Sequence, residues 1–170
     1  SIEIFGGASN NNREGGSILL NSGGNAGSGS GAVDITSADG SYSSGAVSLS
    51  SGSSSESRSG VVSLTTGDSK LDSGSIQLSV GQSTLGSGGN IELNAGPSSA
   101  LSGGSVRIFS GSSSATGSSS GEVSIGSAGR TGGRSGSGSV YVSSGDASGS
   151  TGALQILSGD SSSGQAGDVS

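Results

Sequence analysis

Residues able to do chemistry are few in this chain, and their spacing does not assemble them. Gly117-Ser118-Ser119-Ser120-Gly121 matches the G-x-S-x-G pattern that presents a nucleophilic serine on a strained turn. The match carries little weight, because 50 Ser and 37 Gly make up half of the 170 residues. The chain has no His, which removes the ordinary base of a serine triad. It also has no Cys, so no thiolate can hold a metal and no disulfide can form.

Three further chemistries are weighed and set aside. Asp68, Asp146 and Asp160 each follow a glycine and could place carboxylates at one corner for calcium. The Gly-Gly-x-Gly-x-Asp repeat of calcium-binding rolls is absent, however, and Asp suits a turn on its own account. Phosphate cradles end in Gly-Lys-Ser/Thr, and Lys70, the only lysine, is not in that setting. The glycine-rich stretch Gly126 to Gly138 carries Arg130 and Arg134 and could hold an anion, but a long solvated turn is the favoured reading. Six basic against twelve acidic residues, with aromatics at 2%, disfavour nucleic acid. These residues predict a protein that is not an enzyme, with no cofactor, no metal and no nucleic-acid partner.

What the chain does write repeatedly is Gly-x-Ψ-x-Ψ, with Ψ an aliphatic residue. The copies begin at Gly16, Gly31, Gly45, Gly60, Gly74, Gly89, Gly104, Gly121, Gly138, Gly152 and Gly167. Their Ψ pairs are Ile18 and Leu20, Val33 and Ile35, Val47 and Leu49, Val62 and Leu64, Ile76 and Leu78, and Ile91 and Leu93. The series continues with Val106 and Ile108, Val123 and Ile125, Val140 and Val142, and Leu154 and Ile156. Ile2-Glu3-Ile4 opens the chain as a copy without its glycine, and Val169 begins a last one. Successive copies are 14 to 17 residues apart. A fixed period in a low-complexity chain marks a repeat architecture rather than a Gly/Ser linker.

Within each copy the alternation has period two, which reads as a short strand with one apolar face. Three residues after the second Ψ comes a small residue, as at Gly7, Gly23, Gly52, Gly67, Gly81, Gly96, Gly111, Gly145 and Gly159, with Ala38 and Ala128 as exceptions. Small residues thus bracket each strand where the chain must turn or take positive φ. No i, i+3, i+4, i+7 stripe supports a helix. The expected fold is all-β: a parallel β-solenoid (β-helix) of about 11 thin, flattened coils of 14–17 residues. The Ψ pairs would form its core, and the repeat glycines its turns. Tyr42, Leu71, Leu85, Ala100 and Ala115 recur at a similar offset in the polar half of the unit and would form a second, weaker strand against the Ψ pair. Two aliphatics per coil bury too little to offset the ordering of some 15 residues, so neighbours must stabilise each coil.

The array is expected to run through residues 1–170 as one continuous unit and, with neither end shaped as a polar cap, to be a window onto a longer repeat protein. No apolar run approaches the ~18 residues of a membrane span. Glu3, Asp34, Glu92, Arg107 and Tyr141 occupy the slot between the two Ψ residues and read as a solvated face that discourages unwanted pairing. The slot after the second Ψ reads Asn21, Thr36, Ser50, Thr65, Ser79 and Asn94, a run of short polar side chains of the kind an ice-binding or adhesive face presents. Phe5, Phe109, Gly126 and Leu157 interrupt it.

The unit Gly-x-Ψ-x-Ψ-x-x-Gly resembles the Ser/Gly-rich parallel β-solenoid arrays of extracellular filaments, stalks and adhesins of microbes and algae. The likeness is one of class, covers the whole chain and transfers no functional residues. It implies a structural rod or fibre-shaft segment, extracellular or on a particle surface. Its expected partners are further copies, other filament proteins and surface glycans. Dense Ser and Thr could accept O-linked sugars, whereas no Asn-x-Ser/Thr sequon is present. The alternative is an adhesin-like or ice-binding solenoid presenting its Ser/Thr/Asn face.

Overall fold

The computed structural model describes residues 1–10, 13–129 and 136–170. Among these there is no helix and no β-strand, so the parallel solenoid expected from the period is not the fold of this chain. The chain is a loop-rich coil with a regular internal rhythm. It divides into two units, Ser1–Leu78 and Ser79–Ser170.

In both units the repeat builds the same local device. A short stretch without regular secondary structure carries each Ψ pair, and among the described residues bends recur between successive stretches. Among the described residues the bends fall at 10, 13, 26–28, 41–42, 55–57, 70–71, 84–86, 99–101, 115–117, 148–149 and 162–164. Serine and asparagine make these tips by bonding the backbone two or three residues on, which is their ordinary role in turns. Asn25 Oδ1 accepts from the Gly27 N–H at 2.9 Å, Ser54 Oγ from Ser57 at 3.0 Å, and Ser83 Oγ from Gly86 at 3.0 Å. Ser98 Oγ accepts from Leu101 at 3.0 Å, and Ser161 Oγ from Gly164 at 2.9 Å.

The tips explain why the solenoid fails. Tyr42, Leu71, Leu85, Ala100 and Ala115, expected as a second strand, lie on the bends themselves and face solvent. With that layer absent nothing covers the Ψ pairs, and without a covered face a short run of extended chain has no reason to hold a ladder. No described residue is buried. The expected core residues Ile18, Leu20, Val33, Ile35, Val47, Leu49, Val62, Leu64, Ile76, Leu78, Ile91, Leu93, Val106, Ile108, Val123, Ile125, Val140, Val142, Leu154 and Ile156 are all exposed. The first Ψ of these pairs is 47–60% exposed and the second 62–82%. The chain shows 16876 Å² to solvent. A folded chain of this mass would show about 7,300 Å² and a fully extended one about 23,000 Å². The exposed area is therefore nearer the extended limit than the compact one.

The glycines also play a different part from the one expected. Among the described residues only Gly7 and Gly117 take positive φ, at 76° and 81°. Gly16 serves instead as a point of close approach: a Cβ there would collide with the Gly6 carbonyl.

Candidate interaction surface

The small residues that bracket each run are brought together in space. Gly16 donates its backbone N–H to the Gly7 carbonyl at 3.0 Å, and Gly31 donates to Gly23 at 3.0 Å. Gly104 donates to Gly96 and Gly121 to Gly111, each at 2.9 Å. The last three of these bonds each close the neck of a loop whose tip is one of the bends. Bracketing glycines were legible in the sequence, but that they meet was not.

A second neck contact was missed altogether. The repeat glycine faces the residue two places after the preceding second Ψ. A Cβ on Gly31 would lie 3.5 Å from that of Ser22, one on Gly60 3.5 Å from that of Ser51, and one on Gly121 3.4 Å from that of Ser110. Gly74 faces Thr66 and Gly104 faces Ala95 in the same way. Gly89 is the tight case, because the facing residue is Val80 and an added Cβ would stand 2.9 Å from its Cγ1. Around Gly152 and Gly167 nothing lies within 4 Å, so the last two necks are open.

These contacts divide the repeat into a constant and a variable part. From each repeat glycine to its neck residue, as from Gly31 to Ser37 or Gly121 to Ser127, the separation is always six residues. From that neck residue to the next repeat glycine it ranges from 8 to 11 residues. All the irregularity of the period is taken up in the loops. The constant spacing is the signal that could have revealed the neck position from sequence.

The chemical candidates stay apart. Among the described residues no group of three or more Asp and Glu side chains comes together to hold a metal ion, and Asp68, Asp146 and Asp160 are exposed. Gly117 lies in a bend in which Ser118 donates its N–H to the Ala115 carbonyl at 3.2 Å, so the G-x-S-x-G match is a solvated turn. Arg130 and Arg134 lie outside the described residues. Asn21, Thr36, Ser50, Thr65, Ser79 and Asn94 are exposed on successive runs, as are Glu3, Asp34, Glu92, Arg107 and Tyr141. Among the described residues no helix is long and apolar enough to cross a membrane. The surface that remains among the described residues is the set of exposed runs that carry the Ψ residues. The chain matches no family model, no curated protein and no solved structure.

Proposed function

We propose that this chain is a structural segment of an extracellular or surface filament, and that it becomes a shaft by associating with further copies of itself. One observation carries the reading: the Ψ pairs recur at constant internal spacing, yet all of those from Ile18 to Ile156 are exposed. Exposed apolar surface on this scale marks an interaction site rather than a finished monomer. Regularity of length in a segment with no cover of its own is what a periodic assembly requires. Serines crowded in the loops, including the exposed Ser112, Ser113 and Ser114, are open to O-linked sugars that would keep such a shaft soluble.

Sedimentation across a concentration series, followed by electron microscopy, tests the reading. Filaments appearing above a threshold concentration support it. A chain that stays monomeric to millimolar concentration removes it. A second reading, an ice-binding or adhesive face, is favoured only by the exposed series Asn21, Thr36, Ser50, Thr65, Ser79 and Asn94. A thermal-hysteresis measurement decides it.

A further inference from the structure

Every aspartate but one is followed by a residue with a side chain, and the exception is Asp39, which is followed by Gly40. We infer that this pair is a site of self-modification, at which the Gly40 backbone nitrogen attacks the Asp39 side-chain carboxyl and converts Asp39 to isoaspartate. The reaction needs no second copy of the chain.

Four loop aspartates share one place in the repeat. Asp39, Asp68, Asp146 and Asp160 lie four residues after Ile35, Leu64, Val142 and Ile156, the second Ψ of their copies, and all four are exposed. The next position is the one that holds a tip in two of these loops: Ser69 Oγ accepts from the Leu71 N–H at 3.2 Å and Ser161 Oγ from Gly164 at 2.9 Å. After Asp39 that position is Gly40, whose N–H makes no backbone hydrogen bond among the described residues. Its loop instead brings the Gly40 α-carbon against the Ser43 carbonyl, an approach closed to a residue with a Cβ. Ala147, after Asp146, lacks the hydroxyl but still carries a Cβ beside its nitrogen. With no described residue buried, the loop opens locally at little cost, and the Asp39 carboxyl can reach its neighbour's nitrogen.

In the first step the Gly40 nitrogen bonds to Asp39 Cγ, and the carboxyl hydroxyl and the amide proton leave together as water. Because both groups belong to adjacent residues, the ring closes without a bimolecular encounter. Water then opens the cyclic imide at either carbonyl. Attack at Cγ restores aspartate. Attack at the former main-chain carbonyl leaves the chain running through Cβ and Cγ, as isoaspartate. One water leaves and one returns, and nothing is oxidised or reduced. A Cβ on the following residue crowds the attacking nitrogen, so Asp68, Asp146 and Asp160 react more slowly than Asp39. Isoaspartate keeps its negative charge and adds one atom to the main chain between Ser37 and Gly45. That is the part of the repeat whose length already ranges from 8 to 11 residues, and loops absorb such changes best. The runs that carry the Ψ pairs keep their sequence and length.

Prolonged incubation of the intact chain in mildly acidic heavy-oxygen water, followed by peptide mapping with electron-transfer fragmentation, tests the site. The peptide containing Asp39 should split into two species of equal mass that elute apart, both carrying heavy oxygen, with the extra main-chain atom assigned to Asp39. Asp39→Glu should abolish the second species, because the larger imide ring closes far more slowly. Gly40→Ser should slow its formation to the rate at Asp68. Ser69→Gly should create a second site at Asp68, a gain that loss of structure elsewhere would not mimic. Isoaspartate forming equally at all four loop aspartates, or failing to form at Asp39, overturns the assignment. Whether the unmodified chain assembles into filaments has no bearing on either result.

Discussion

Ser22 and Gly31 face each other across the neck of a loop, with 3.5 Å between the Ser22 Cβ and the place a Cβ would take on Gly31. Beside them the Gly31 N–H bonds the Gly23 carbonyl at 3.0 Å. This pairing recurs through both units and is the nearest thing to tertiary structure in the chain. It closes several of the loops that join the exposed Ψ-bearing runs.

Neck closure predicts a disulfide. The Cβ separation across the neck falls in the range that a disulfide spans without backbone movement. Because the natural chain has no cysteine, Ser22→Cys with Gly31→Cys introduces the only two thiols. Dilute, mildly oxidised protein should lose both free thiols within one chain, while Ser22→Cys with Gly45→Cys should retain them. Equal oxidation of the two variants would show that the necks do not persist.

Leu64 is exposed, which separates monomer from assembly. Leu64→Ser should change the free energy of the dilute chain by less than about 0.5 kcal/mol and leave its circular dichroism unaltered. The same change removes about 1–2 kcal/mol of burial when another copy covers the site, raising the assembly threshold roughly five- to thirtyfold. A cooperative thermal transition in the dilute chain, shifted downward by Leu64→Ser, would instead reveal a core.

Ser98 holds its tip with two bonds, its Oγ accepting from Leu101 at 3.0 Å and from Ala100 at 3.4 Å. Ser98→Ala should cost about 1 kcal/mol of local order. Amide temperature coefficients measured by NMR should move toward free-solvent values at Ala100 and Leu101 but not at Gly86, whose tip is held by Ser83.

Gly117 adopts a φ of 81° in the bend that the Ser118-to-Ala115 hydrogen bond closes. A β-branched side chain pays about 1–2 kcal/mol in this region, whereas asparagine enters it readily. Amide exchange at Ser118 should therefore quicken in Gly117→Val and stay near its original rate in Gly117→Asn. Equal rates in all three proteins would mean that the turn does not depend on φ at this residue.

Local chemistry of this kind is determined by the sequence alone. The period of Gly-x-Ψ-x-Ψ marks where the chain runs extended, and serine and asparagine mark where it bends, because both signals act within a few residues. Bracketing glycines such as Gly23 and Gly31 were legible for the same reason. Their meeting was not, because closing a neck depends on the path of the seven intervening residues. Nor was the fate of Ile18 or Leu64 legible, since a period-two apolar pair looks the same whether it is covered by its own chain, by another copy or by nothing. That decision belonged to Tyr42, Leu71 and Leu85: placed on a second strand they would have made a core, and placed on the bends they leave the Ψ pairs in water. The tertiary structure decided it because burial needs two facing layers, and each repeat of this chain supplies only one.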